Sequence, residues 1–271
     1  MIPTFLYGTA WKEDATERLV RLAIENGFRG IDTANQRRHY FEAAAGAAVA
    51  GAIRDGLVRR DELFLQTKFT YRDSQDHRLP YDPNADMATQ VRQSFASSLE
   101  HLQTEAIDSY VLHGPSRRRG LGDDDLEVWR TMEELHVSGK TRFLGVSNIA
   151  LDQLELLHAR AKVKPVFVQN RCYARALWDA EVRAFCRAHG IVYQGFSLLT
   201  ANLAELRTAR FRDIVLRSGR TPAQVVFRFA LQIGMLPLTG TTDPVHMRED
   251  LGALDFELTA EDVTAMERIA L

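Results

Sequence analysis

Short apolar runs alternate with longer amphipathic stretches from one end of the chain to the other. The runs fall at about residues 4–7, 28–32, 62–67, 107–112, 141–146, 166–169, 191–196 and 235–239, lengths suited to buried strands. Helical spacing marks Ala15 to Asn26, Asp86 to Leu102, Asp125 to Val137, Leu151 to Ala161 and Ala180 to His189. Gly27, Gly139, Gly190 and Gly234 stand where a helix C′ residue is expected. Thr259 to Ala270 predicts a terminal helix, with Thr259 as N-cap and Glu261 and Asp262 in its first turn. Strands that alternate with helices imply a parallel sheet. Eight of them predict an α/β fold of the (β/α)8 TIM-barrel class, a single domain over 1–271 with a C-terminal helix at about 259–270. The rival, a doubly wound sheet, would place a glycine-rich phosphate turn after its first strand. Here that strand ends Tyr7-Gly8-Thr9-Ala10-Trp11, with no GxGxxG.

The ends of the strands carry the chemistry. Gly30-Ile31-Asp32-Thr33-Ala34 stops on a carboxylate, Phe64-Leu65-Gln66-Thr67-Lys68 on an amine and Tyr110-Val111-Leu112-His113 on an imidazole. Leu144-Gly145-Val146-Ser147-Asn148 ends on two hydrogen-bonding side chains. A parallel barrel brings such residues to one rim, where acid, amine and imidazole can move a proton together. The polar loops Arg72 to Asp86 and Ser116 to Asp125 follow strand ends and belong to the same rim.

Composition narrows the classes. Of 271 residues 45% are hydrophobic and 26% charged, enough to build a sizeable core. A net charge of −2 gives no general attraction for nucleic acid or an anionic membrane, so neither is an expected partner. No apolar run approaches the roughly 18–20 residues that span a bilayer, and the N-terminus has no basic, apolar leader pattern. Two cysteines, Cys172 and Cys186, fit a reducing compartment, and the expected location is the cytoplasm. Gly139-Lys140-Thr141 is not a P-loop, because Glu134 stands where its first glycine belongs. No HExxH or His/Cys cluster has metal-ligand spacing, so no metal is expected.

Taken together, the motifs Gly27-Phe28-Arg29-Gly30-Ile31-Asp32-Thr33-Ala34, Thr67-Lys68, Leu112-His113-Gly114-Pro115, Gly145-Val146-Ser147-Asn148, Val168-Gln169-Asn170 and Thr221-Pro222-Ala223-Gln224 occur in one order along nearly the whole chain. In that order they resemble the aldo-keto reductase superfamily. The resemblance implies a nicotinamide coenzyme bound without a Rossmann domain and a catalytic set of Asp32, Tyr40, Lys68 and His113. The tyrosine requires argument. Relatives usually carry it five residues after the aspartate, a position held here by Arg37. Tyr40 lies eight residues on, and the Glu42 and helix-forming Ala43-Ala44-Ala45-Gly46 behind it match what normally follows that tyrosine. We read a three-residue insertion and assign Tyr40, with His39 the competing neighbour.

The implied reaction is hydride transfer between coenzyme and a carbonyl carbon, reducing aldehydes or ketones or oxidising the corresponding alcohols. Tyr40 would protonate the oxygen, Lys68 would lower the phenol's pKa, Asp32 would hold Lys68 charged and His113 would orient the carbonyl. By the same resemblance Ser147, Asn148 and Gln169 meet the nicotinamide carboxamide, and Phe196 stacks on its ring, followed by Ser197 and Leu198. Gly8, Thr9 and Ala10 pass close to the coenzyme, with Trp11 at its entrance and against substrate. At the adenosine end, NADPH-preferring relatives show Pro-Lys-Ser, an Arg and Glu-Asn. Aligned from Glu249-Asp250, Gly240 takes the Lys position and His246 the Arg position, so both permanent cations are gone. Thr241, Thr242, Arg248 and protonated His246 remain as phosphate donors. NADP(H) is the expected coenzyme, with NAD(H) the second candidate.

Arg117-Arg118-Arg119, Arg37-Arg38, Arg171 and Arg175 lie in rim loops. Either they are solvated surface balanced by Asp123-Asp124-Asp125, or, with Arg117 foremost, they equip the pocket for an anionic small-molecule carbonyl. The segment after the seventh strand is shorter than in typical relatives, which predicts an open pocket and broad specificity. The chain is expected to be a monomer. Two other readings stay open: a coenzyme-binding regulatory barrel with little turnover, and a lyase using Lys68 as a Schiff-base amine.

Overall fold

In the computed structural model, which describes residues 1–271, eight parallel strands close into a barrel in sequence order. The strands are β1 (Leu6–Gly8), β2 (Gly30–Asp32), β3 (Phe64–Phe69), β4 (Ile107–Leu112), β5 (Thr141–Ser147), β6 (Phe167–Arg171), β7 (Val192–Phe196) and β8 (Met235–Thr239). Around them lie α1 (Thr16–Glu25), α2 (Glu42–Arg54), α3 (Met87–Leu102), α4 (Asp123–Val137), α5 (Leu151–Arg160), α6 (Ala180–Ala188), α7 (Ala209–Ser218), α8 (Pro222–Gln232), α9 (Pro244–Leu251) and α10 (Ala260–Glu267). This is the predicted (β/α)8 barrel. No helix is long and apolar enough to cross a membrane.

Strand alternation divides the core in two. Outward-facing Tyr7, Ile31, Leu65, Tyr110, Leu144, Val168 and Tyr193 join the helices in one large apolar shell. Inward-facing Leu6, Phe64, Phe167 and Leu236 form a separate cluster that plugs the lower barrel, with Phe64 edge-on to Phe167 at 5.6 Å. Two residues beyond Phe64 and Phe167 on the same strands, the inward positions turn polar at Gln66 and Gln169. The register sets Asp32 beside Gln66 and Gln169 beside Gln194, so that these side chains share one face and one level. An apolar plug thus lies beneath a polar layer that opens toward the strand C-termini, the face on which barrels build their sites.

Helix starts follow local chemistry. Thr221 caps α8 by accepting from the Gln224 amide, while the Gln224 side chain accepts from the Thr221 amide, and Pro222 supplies the fixed φ of a first helical turn. Thr259 accepts from Asp262 N and starts α10 as predicted. Helix α2 packs its glycine face on the end of α3, where a Cβ on Gly46 would lie 1.9 Å from the His101 carbonyl oxygen. Gly51 of the same helix meets nothing closer than 3.5 Å. Gly46→Ala is therefore expected to destabilise the protein by about 2–3 kcal/mol, a drop of roughly 4–10 °C in Tm. Gly51→Ala should be neutral or stabilising by up to about 1 kcal/mol. Thermal unfolding of the two variants checks this, and equal effects would contradict the packing described.

Candidate active site

At the mouth of the barrel Lys68 is fully buried and Asp32 almost so, with Nζ 2.7 Å from Asp32 Oδ1. The ammonium also donates to the Thr33 carbonyl oxygen at 2.7 Å, which leaves one N–H unused. Burial pulls the Lys68 pKa down; the Asp32 carboxylate and its hydrogen bond oppose this. Breaking such a pair strands a charge in a dry interior at a cost of about 3–5 kcal/mol.

Asp32 Oδ1 is held by more than the lysine. Gln66 Nε2 donates to it at 2.8 Å and Gln169 Nε2 at 3.1 Å. The same two amide nitrogens also donate to Gln194 Oε1, at 2.8 and 2.9 Å, which closes a ring of four hydrogen bonds across the barrel. Gln194 Nε2 returns a bond to Gln66 Oε1 at 3.0 Å. Gln66 and Gln194 are fully buried. From β1, Thr9 donates its amide (3.0 Å) and its hydroxyl (3.1 Å) to the Asp32 carbonyl oxygen.

Tyr40 enters this site on a pinned loop. The Tyr40 amide donates to the Gln36 carbonyl, Gln36 Nε2 to the Ser74 carbonyl, and Asn35 Nδ2 to the Ser94 carbonyl on α3. Behind the tyrosine, buried Glu42 accepts from Thr67 and Ser98 Oγ and binds His101 Nδ1 at 2.9 Å, so the start of α2 is tied to β3 and α3. The Tyr40 ring then lies with its centroid 5.2 Å from Lys68 Nζ and 5.9 Å from the His113 ring. Arg37 turns elsewhere: its guanidinium stacks 4.0 Å from the centroid of Phe41. His39 packs on the exposed Trp11 at 4.0 Å. The loop after Asp32 thus brings the Tyr40 ring, not Arg37 or His39, next to the ion pair.

The electrostatics differ from expectation at one point. Lys68 does not lower the Tyr40 phenol; burial raises it above its ordinary value, and the Asp32 carboxylate adds to the rise. The lysine's charge is already matched by Asp32, so the ring faces a nearly neutral pair in a dry site. His113 is likewise held down to about 3, chiefly by burial and then by Lys68, and is neutral at ordinary pH. Its Nδ1 lies 2.7 Å from Thr70 Oγ1. With that hydroxyl as donor, the ring proton sits on Nε2.

Further round the same rim, Ser147 Oγ donates to the Gln169 carbonyl oxygen at 2.7 Å and Asn148 Nδ2 to the His113 carbonyl oxygen at 2.8 Å. Asn148 (φ 51°) and Ser197 (φ 57°) adopt the left-handed conformation that few residues other than glycine favour. Phe196 ends β7 half-buried, but Leu198 turns into the core against Gly195. Thr241, half-buried, accepts the Tyr7 hydroxyl on its carbonyl oxygen at 2.9 Å. Thr242 and His246 are exposed and Glu249 half-buried. Asp250 is buried on Thr239 Oγ1 at 2.7 Å, its carboxyl raised to about 7 by burial. Leu198 and Asp250 therefore face the interior rather than the rim. Arg117 is exposed.

A family model described as "Aldo/keto reductase family" matches residues 4–271. The chain belongs to that family. Glyoxal reductase of Bacillus subtilis is 30% identical over 257 residues, 94% of this chain and 83% of that protein. NADPH-dependent codeinone reductase 1-4 of Papaver somniferum is 32% identical over 291 residues, 99% of this chain and 86% of that one. Among solved structures, an aldo/keto reductase from Brucella melitensis superposes with a TM-score of 0.83 at 26% identity, covering 99% of this chain and 94% of its own. An aldo-keto reductase of Bombyx mori in complex with NADP gives 0.82 at 26% identity, covering 99% and 89%.

Within this aldo/keto reductase, sequence reasoning passed over Thr70, Gln66 and Gln194. The signal was present for the two glutamines: each is a polar residue inside an apolar strand, and Gln66 shares its face with Lys68, two residues on. Their reciprocal bonding makes a prediction. Removing one amide leaves the other buried and unsatisfied, a penalty of about 1–3 kcal/mol that removing both avoids. Denaturant unfolding of Gln66→Leu, Gln194→Leu and the double variant should give a coupling of at least about 1 kcal/mol. Additive losses would contradict the ring.

Proposed function

We propose that this chain is a carbonyl reductase that uses NADP(H), with Tyr40 as its proton donor. The observation that carries the reading is the meeting of Tyr40 and His113 above the buried Asp32–Lys68 pair. The rim residues fit a nicotinamide carboxamide: Gln169 Oε1 and Asn148 Oδ1 accept no bond within the chain, while their nitrogens are engaged. Phe196 offers a half-buried ring beside them. The name of the Papaver relative and the NADP complex of the Bombyx protein support the choice of coenzyme.

When bound, the coenzyme supplies hydride to a carbonyl carbon. His113, neutral and held by Thr70, donates Nε2–H to the carbonyl oxygen and fixes its position. Tyr40 stays protonated through the neutral range because burial and Asp32 disfavour the phenolate. It gives up its proton only as charge builds on the substrate oxygen. The unused N–H of Lys68 is available to the phenolate oxygen as it forms, and Asp32 keeps the amine in place. Run in reverse, the same groups oxidise an alcohol, and that direction gains from high pH. A Schiff-base role for Lys68 requires a free, neutral amine, whereas this one is clasped by Asp32 and the Thr33 carbonyl oxygen.

The rim arginines do not converge on the site. Arg117, Arg118 and Arg119 are exposed, Arg37 stacks on Phe41, and Arg175 stacks 4.5 Å from the Tyr173 centroid. Selection among small carbonyl compounds therefore rests on the His113–Tyr40 end of the pocket, not on a cationic clamp.

NADPH consumption with a small aldehyde tests the assignment. Tyr40→Phe should lower kcat by about 10²–10⁴-fold with coenzyme affinity within about twofold, and Arg37→Gln should retain activity. The opposite pattern would place the acid at the other register. At saturating NADPH, kcat/KM for the aldehyde should stay flat from about pH 5 to 9, since His113 is neutral above about 3 and the Tyr40 phenol remains protonated. A midpoint near about 6.5 would mean an ordinary imidazole titrates in the step. Borohydride trapping of substrate on Lys68 would instead support a lyase.

A further inference from the structure

Four side chains meet in the polar layer of the barrel: the Asp32 carboxylate and the primary amides of Gln66, Gln169 and Gln194. A carboxylate only accepts hydrogen bonds, so an amide beside it must present its nitrogen. Gln66 and Gln169 both do so, donating to Asp32 Oδ1 at 2.8 and 3.1 Å. Gln194 faces the second N–H of each and answers with its oxygen, at 2.8 and 2.9 Å. Its own nitrogen donates to Gln66 Oε1 at 3.0 Å. Reversing any one amide would set oxygen against oxygen or nitrogen against nitrogen. The charge of Asp32 therefore fixes the sense of all three.

The consequence reaches the rim at Gln169, which stands level with Ser147 on the neighbouring strand. Both N–H groups of this amide are used inside the ring, and its Oε1 accepts no bond within the chain. Gln169 is only 3% exposed, so a free acceptor on it calls for a donor from a ligand. Its bond to Asp32 is the longest in the ring, and that carboxylate oxygen already serves Lys68 and Gln66. The closer hold comes from Gln194 on β7, fully buried at the paired register position.

We propose that Gln194 is a positioning residue for the coenzyme. By fixing the sense of the Gln169 amide it reserves Gln169 Oε1 for the NH2 of the nicotinamide carboxamide. The inference rests on the coenzyme reading above. Its test compares NADP+ with the 3-acetylpyridine analogue, in which a methyl group of similar size replaces that NH2. Quenching of intrinsic fluorescence gives the Kd of each for the wild-type chain, Gln194→Met and Gln66→Met/Gln194→Met. Thermal unfolding verifies that each is folded.

The wild-type chain should bind NADP+ about 5- to 100-fold more tightly than the analogue, which leaves the acceptors it meets unsatisfied. Without the Gln194 oxygen the Gln169 amide keeps only its long bond to Asp32 and can turn. Gln194→Met should then cut the preference at least about threefold, by weakening NADP+ rather than the analogue. The double variant should show the same cut, and it decides alone if Gln194→Met does not fold. A merely structural role for Gln194 would weaken both ligands alike. A preference unchanged from wild type would overturn the proposal, as would a wild-type chain that binds the two ligands equally. A wild-type chain that binds neither ligand removes the coenzyme reading and this inference together.

Discussion

The interaction on which the site depends is the ion pair between Asp32 and Lys68, 2.7 Å long and shut away from water. Removing two charges from solvent is expensive, and their mutual attraction compensates only when the remaining donors and acceptors are also satisfied. Here the barrel does that work. The Thr33 carbonyl takes a second lysine proton, and two glutamine amides crowd the carboxylate oxygen. Thr33 and Gln66 come from β2 and β3, which also carry the pair, while Gln169 reaches the carboxylate from β6 across the barrel. The apolar plug of Leu6, Phe64, Phe167 and Leu236 beneath keeps the polar layer dry from below.

Around that fixed centre, Tyr40 and His113 stand half-buried at the mouth of the barrel, and burial there shifts both. Burial holds the phenol protonated and the imidazole neutral, the forms that donate to a carbonyl oxygen as it gains charge. Positioning falls to neighbours that never touch the reacting atoms. Glu42 ties the start of α2 to Thr67, Ser98 and His101, and Thr70 fixes the His113 ring. The loop after Asp32 is held by backbone bonds at Gln36 and by stacking of Arg37 on Phe41, with the Tyr40 ring beside Lys68 and His113.

Much of this was legible in the residues. Strand boundaries fell within about two residues because parallel strands buried on both faces read as short apolar runs. Asp32, Lys68 and His113 stood out because each ends such a run. Tyr40 was legible from the Glu and alanine-rich helix start behind it, not from spacing. Helices α7 and α9 were not, since α7 buries only Phe211 and Ile214 and α9 only Met247 and Asp250, too narrow a stripe to show a period. The glutamine ring joins residues 128 apart, a pairing that no local pattern records. The direction of the phenol's shift was misread because burial, with the Asp32 carboxylate added to it, raises the phenol.

The central claim is that Asp32 and Lys68 act on Tyr40 as one unit. Single-turnover oxidation of enzyme-bound NADPH by an aldehyde tests it directly in Asp32→Asn, Lys68→Met and the double variant, each verified as folded. The account predicts that the double variant is no slower than the slower single one, because either change alone already abolishes the pair. Rate losses that multiply in the double variant would show two independent contributions and contradict it.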